Sequence, residues 1–256
     1  MQSPGLPGLH GLTLGRRPWR WGIAVLFASL ALPAPASAGI GPGVATSERA
    51  SGEQPSALWA HPKMRAPIRR HRAPNSRRIA RVRHLTEDGF PEVYLVLRRW
   101  SNADGRTLLK VRVPMRPNGR RGWVRASALG RLHVVRTRLV VDRSRLRAAL
   151  YRSGRRIWRS RIGVGKPRTP TPSGRFWIRE RIRVPNAGGT YGPWAFGTSA
   201  YSSLSDWPGG GVIGIHGTNQ PQLIPGRPSH GCIRVANGPI RRLARLMPIG
   251  TPVRIR

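Results

Sequence analysis

SHGCIRV, residues 229–235, holds the only cysteine of this 256-residue chain, and HGTN, residues 216–219, stands shortly before it. A thiol works as a nucleophile when it is a thiolate, so an ordinary pKa of about 8.5 must fall or a base must take the proton. Two histidines are candidates. His216 closes VIGIH, residues 212–216, a short and nearly all-apolar run of the kind that forms a strand buried on both faces. A histidine leaving a rigid strand has a fixed backbone position and suits a general base. His230 lies so close to Cys232 that it suits orientation of groups or substrate better than proton abstraction. Gly231 lets the backbone turn tightly, which frees the amides of Gly231 and Cys232 to face an oxyanion. Arg234 adds a fixed charge able to hold a carboxylate.

Other readings of the same residues are a His216 satisfied inside the core and a Cys232 that acts as a small buried hydrophobe. The flanking Gly, His and Ser are poor company for an apolar core and favour the reactive thiol. No metal is expected. Besides Cys232 and the two histidines, the segment offers His133, Asp142, Glu180 and Asp206, without tight ligand spacing. The group that orients His216 is either Asp206 or, more simply, a backbone carbonyl.

The N-terminus points to a compartment. His10, Arg16, Arg17 and Arg20 approach WGIAVLFASLAL, residues 21–32, an apolar run shorter than the ~20 residues of a membrane-spanning helix. Ala36-Ser37-Ala38 reads as a cleavage site, so residues 1–38 are expected to be a signal peptide. The alternatives are a twin-arginine signal and an uncut anchor. No second apolar stretch approaches a span, so the mature protein is expected to work outside the cytoplasm without a transmembrane helix. In an oxidising compartment a single cysteine forms no internal disulfide.

Basic residues number 46 against nine acidic ones, a formal charge of +37, with lysine only at Lys63, Lys110 and Lys166. Such a surface is drawn to polyanions. Nucleic acid is not expected as a partner, since export removes it and no helix–turn–helix, zinc or RNA-binding aromatic motif is present. Anionic lipid and acidic cell-wall polymers remain as partners of such a surface.

Three segments follow the leader. Residues 39–77 are rich in Pro, Ala, Ser, Gly and Arg and read as a disordered linker. Residues 78–130 read as short strands, IARVRH, EVYLVLRRW, TLLKVRV and GWVRAS, with hairpin turns at Asp104-Gly105 and Asn118-Gly119. With Trp100 and Trp123 available for a small core, they suggest an SH3-like β-barrel. Residues 131–256 are also mostly β: a hairpin turns at Ser153-Gly154, and TPVRIR closes the chain as a strand. One short helix is expected near the C-terminus, capped by Asn237, with Pro239 in its first turn and Ile240, Leu243, Ala244 and Met247 on one face.

HGTN and SHGCIRV, together with VGKPRTPTPSGRF at 164–176 and the closing GTPVRI, resemble the L,D-transpeptidase catalytic domain, also called the YkuD-type domain. The resemblance covers residues 131–256. It implies a β-sandwich with a cleft, with Cys232 as the acylated nucleophile, His216 as its base, and the Gly217 carbonyl orienting the imidazole. It further implies that His230, Gly231 and Cys232 line the oxyanion site and that Ser229 and Arg234 lie in the substrate cleft. The implied reaction is acyl transfer between peptidoglycan stem peptides through a thioester, forming 3→3 cross-links without cofactor or metal. Carbapenems would acylate the same thiol. Water as acceptor would make it an L,D-carboxypeptidase, and a protein amine would attach protein to the wall. A degenerate site would leave a basic wall-binding protein.

Overall fold

In the computed structural model the described residues are 46–49, 56–204 and 208–256. The leader, residues 39–45 and 50–55 of the linker, and Asp206 lie outside them. The first sheet is built on Tyr94–Ser101, flanked by Ala57–Ala60 on one side and Thr107–Arg112 on the other. Two neighbours explain why Tyr94, Leu95 and Val96 are all buried. Arg121–Arg125, Pro67–Arg69 and Arg78–Arg81 extend the sheet past Thr107–Arg112, and His133–Val135 extends it past Ala57–Ala60. Thr46–Arg49 pairs with the far end of Tyr94–Ser101. The two hairpin turns form as read: Gly105 and Gly119 take φ of 74° and 89°, which glycine adopts without steric cost.

Three expectations change here. Residues 56–77, read as linker, supply the strands Ala57–Ala60 and Pro67–Arg69. Ala57, Trp59, Ala60 and Ile68 are buried, so a few apolar positions in a Pro- and Arg-rich text suffice once neighbouring strands supply the ladder. At the other end, His133–Val135, assigned by its sequence to the C-terminal segment, pairs with Ala57–Ala60. The module's core also avoids Trp100 and Trp123. Ala60, Ile68, Tyr94, Val96, Leu109, Val111 and Val124 make it, while both indoles are half-buried with the Arg72 guanidinium 5.0 and 5.8 Å from their ring centroids.

The C-terminal half has two sheets. One runs Arg155–Arg161, Arg147–Arg152, Thr137–Asp142, Pro252–Ile255, Gly174–Trp177. Its first hairpin turns at Ser153 and Gly154, with φ of 48° and 84°, the left-handed pair that matches strand twist. The chain's last strand sits inside this sheet, parallel to Thr137–Asp142. The other sheet runs Ile182–Arg183, Trp194–Tyr201, Val212–His216, Ile233–Arg234, Gly163–Gly165, Gly226–Ser229. A single core cluster draws Leu139, Leu150, Phe196, Ile215 and Ile233 from both sheets, and Ile240, Leu243 and Ala244 from the helix Asn237–Leu246. Met247 is buried just past the helix end. The described residues are thus mainly β with one short C-terminal α-helix, and the first sheet is consistent with an SH3-like arrangement.

The helix's N-cap is Ala236, which makes no side-chain cap. Asn237 instead accepts the Thr218 N–H at 3.0 Å, tying the helix to the HGTN turn. The two halves meet through a second apolar cluster, in which Trp177 packs with Trp59, Val93, Leu95 and Val135. Its indole N–H donates to the Val93 carbonyl at 2.8 Å.

Candidate active site

Val212–His216 and Ile233–Arg234 run parallel, with Ile215 opposite Ile233 and His216 opposite Arg234. That register brings Cys232, one residue before its strand, alongside Gly214. The Gly214 N–H donates to the Cys232 sulfur at 3.4 Å. Residues 214 and 216 share a strand face. A Cβ placed on Gly214 would lie 3.7 Å from His216 Cδ2 and 3.8 Å from Cys232 Sγ. Ring and thiol therefore flank the same glycine, in a cleft of about 80 Å³ also bordered by Tyr191, Ser202, Ile213 and His230.

His216 is buried, and its Nδ1 lies 2.6 Å from the Gly217 carbonyl oxygen. A carbonyl only accepts, so Nδ1 carries the proton and Nε2 is left with a lone pair. The Tyr191 ring meets the imidazole edge-on at 4.9 Å. Burial drives the His216 pKa down to about 4, helped by Arg234 and opposed by the Gly217 carbonyl. Burial pushes the Cys232 thiol up, against the Gly214 N–H and Arg234. At neutral pH both groups are therefore uncharged, a thiol beside a neutral imidazole.

Against known families, residues 136–255 match the L,D-transpeptidase catalytic domain, YkuD. This part of the chain is an L,D-transpeptidase domain. A Bacillus licheniformis protein named as a candidate L,D-transpeptidase, YkuD, is 41% identical over 106 residues, 41% of this chain and 57% of that protein. Its Bacillus subtilis counterpart is 43% identical over 94 residues, 37% of this chain and 50% of that protein. The chain thus spans about half the length of the curated relatives it matches. Among solved structures, the catalytic domain of the Enterococcus faecium L,D-transpeptidase is 26% identical with a TM-score of 0.35, covering 47% of this chain and 96% of that one.

Within the L,D-transpeptidase domain, the seven residues singled out in the sequence fall into different local settings. Cys232, His216, His230, Ser229 and Arg234 all border the cleft. Ser229 is turned inward: its hydroxyl donates to the Cys232 carbonyl at 2.6 Å and accepts the Gly231 N–H at 3.2 Å. The Gly231 amide is therefore engaged and is not free for an oxyanion, contrary to expectation. Gly231 has φ of +128°, and a Cβ there would meet Ile213 Cδ1 at 2.7 Å, so the turn requires glycine. The Arg234 Nη1 donates to Gln220 at 3.0 Å, while its buried Nε has no partner among the described residues.

Two groups of residues escaped the sequence reading. Thr171 donates to the Gly231 carbonyl at 2.7 Å and accepts the Gly165 N–H at 2.9 Å, so the TPTPSG stretch braces the nucleophile turn from sixty residues away. The other group holds the cleft's rim. Arg116 of the first sheet region donates to the carbonyls of Ser202, Leu204 and Gly210 at 2.9–3.2 Å. Asn118 exchanges two hydrogen bonds with the Tyr201 backbone, at 2.8 and 3.0 Å. Below them Arg179 is buried, with its guanidinium on Glu92 at 2.6 and 2.7 Å and on Glu87 at 2.8 Å. Burial works to raise the Glu87 pKa, but Arg179, the Tyr201 hydroxyl and Arg83 outweigh it and hold it at about 2. A run such as FWIRERIRV shows alternation but not that Arg179 and Glu180 point inward.

Proposed function

We infer that the domain is a cysteine-dependent acyltransferase that joins peptidoglycan stem peptides by 3→3 cross-links. The observation that supports it most is a single arrangement: an imidazole fixed with its proton on Nδ1 and a thiol flanking one glycine in one cleft. Nε2 takes the Cys232 proton as sulfur attacks the carbonyl carbon of the third stem residue. The oxyanion that forms is met by the Cys232 amide, since the Gly231 amide is held by Ser229. As the C–N bond to the terminal D-Ala breaks, the imidazolium returns the proton to the leaving amine. An amine of a neighbouring stem then gives its proton to His216, attacks the thioester carbonyl and releases the thiol, which recovers the proton. The scheme calls for no metal or cofactor.

The neutral resting pair fits this order, because thiolate is generated by transfer to Nε2 during attack and is not stored beforehand. The free Nε of Arg234 is suited to a substrate carboxylate. His230, exposed at the cleft mouth, is suited to contact the bound peptide. The first sheet region is read as an SH3-like module, and the protein as an exported, envelope-located enzyme with affinity for anionic wall polymers. Among the described residues, no helix is long and apolar enough to cross a membrane.

Incubation with a purified disaccharide-tetrapeptide tests the reaction. Loss of D-Ala with a 3→3 dimer in the mass spectrum is expected. Tripeptide monomer alone would make water the acceptor, and unchanged substrate under conditions where Cys232 is acylated by a carbapenem would refute the cross-linking activity.

A further inference from the structure

His216 is oriented by one peptide unit, and that unit is held at both ends. Its carbonyl, on Gly217, lies 2.6 Å from the imidazole Nδ1. Its N–H, on Thr218, donates to the Asn237 side-chain oxygen at 3.0 Å. In a trans peptide these two groups point in opposite directions within one plane. Asn237, the 217–218 peptide and the imidazole therefore form a single line of hydrogen bonds, N–H to Oδ1 at one end and Nδ1–H to C=O at the other.

A glycine stands at the centre of this line. Gly217 has no Cβ, so little besides hydrogen bonds resists rotation of the peptide that follows it. The peptide before it is fixed separately, because the Gly217 N–H donates to the Trp194 carbonyl at 3.1 Å. Among the described residues, Asn237 alone accepts the Thr218 N–H. No side chain fits at 217, since Asn237 Oδ1 and the Gly192 backbone fill its space. Gly192, with φ of +60°, lies against the same oxygen and follows Tyr191, whose ring meets the imidazole.

The backbone that carries Asn237 is itself rigid. Two residues earlier, the Val235 N–H donates to the His216 carbonyl at 2.8 Å. The helix that Asn237 opens is seated in the core by Ile240, Leu243 and Ala244. The Trp158 indole N–H donates to the Pro239 carbonyl at 3.1 Å. Asparagine is a favoured helix cap, yet no side chain caps this helix and Asn237 is turned to the peptide instead.

We propose that Asn237 is a positioning residue for the base: it locks the 217–218 peptide so that the Gly217 carbonyl keeps the His216 proton on Nδ1 and Nε2 stays open to the thiol proton. A hydrogen bond at a peptide N–H also polarises the carbonyl of that peptide and strengthens the next bond in the line. Among the described residues no carboxylate borders the cleft. The neutral line thus takes the orienting part that an aspartate plays beside other catalytic histidines. This role rests on His216 being the base of the proposed reaction.

The test reads two quantities on the full chain: the His216 tautomer, from imidazole nitrogen NMR shifts near neutral pH, and the rate of carbapenem acylation at Cys232. Asn237→Leu keeps the side-chain size and removes the acceptor. It is expected to move His216 from the Nδ1–H form toward a mixture of tautomers and to slow acylation about tenfold or more. Asn237→Asp restores an acceptor oxygen and should keep the Nδ1–H form, with a rate within about threefold of the parent. Trp158→Phe removes the indole bond at the same helix end, so it should lower the thermal midpoint and leave both readouts unchanged. If Asn237→Leu does not fold, Asn237→Ala takes its place. An unchanged tautomer in the variant without an acceptor would overturn the proposal, as would equal losses in Asn237→Asp or in Trp158→Phe. Should the parent take no drug, the tautomer alone decides the role of Asn237, and the acyl-transfer reading fails separately.

Discussion

At the scale of single residues, His216 is the group whose state is furthest from its ordinary one. Its pKa is held at about 4 by burial, so the folded chain binds a proton there only in strong acid. The unfolded chain protonates near 6.5. Any stability from keeping His216 neutral is therefore complete above about 6.5 and is lost as pH falls toward 4. The same shift sets activity: the acid limb of the Cys232 acylation rate is expected near pH 4 to 5, checked by stopped-flow acylation across pH, and a limb at or above 6.5 would contradict a buried neutral base. That Cys232 and His216 meet in one cleft was readable because a thiol and a strand-ending histidine are the residue types such chemistry needs. The engagement of the Gly231 amide was not, because its acceptor is a serine side chain whose rotamer depends on the fold, and the brace on its carbonyl comes from distant Thr171.

At the scale of elements, the turns were the clearest part of the text. Asp104-Gly105, Asn118-Gly119 and Ser153-Gly154 all turn hairpins, since left-handed backbone is a local demand met by local residues. Ala57–Ala60 and Pro67–Arg69 were not readable, because strands of three or four residues form only when neighbours pair with them. The helix face at Ile240, Leu243 and Ala244 was plain, but Asn237 serves the HGTN turn in place of the helix end. Loop-to-loop contacts were equally hidden, and one bears on activity. Arg116 holds three carbonyls of the loop that reaches the cleft at Ser202 and Gly211. Arg116→Ala removes charge-assisted bonds worth roughly 1.5–3 kcal/mol each when buried, less at this partly exposed rim. Its expected effect is a several-fold higher KM for the stem peptide with carbapenem acylation little changed. A fall in acylation rate as large as the change in KM would place Arg116 in the chemistry instead.

At the scale of the whole molecule, scarce acids are concentrated. Glu87 and Glu92, two of nine acidic residues, meet Arg83 and Arg179 where the two halves join. Composition alone suggests unrelieved positive charge, and only the fold shows that residues some ninety positions apart form an ionic seam. Glu180 sits on its edge, buried, with Oε2 lacking a partner among the described residues. Burial raises its pKa to about 7, with Asp88 adding to the rise and a Thr86 hydrogen bond opposing it. A raised carboxyl carries no penalty below about 4.5; the cost builds as pH rises from there to about 7, where only the unfolded chain ionises, and is complete above 7. Glu180→Gln is therefore expected to raise the thermal midpoint at pH 8, by roughly 1–2 kcal/mol of stability after allowance for solvent screening. The gain should vanish by pH 5. A loss of stability at pH 8 would show that the ionised carboxylate is paired.

The central claim is that Cys232 is a nucleophile activated by His216. Intact-mass spectrometry of the protein after exposure to a carbapenem tests it most directly, beside Cys232→Ala and His216→Ala. The expected result is one drug-mass adduct on the parent, none on Cys232→Ala, and acylation slowed by at least about a hundredfold in His216→Ala. A folded parent that takes no adduct, or a Cys232→Ala variant that still takes one, would contradict the account.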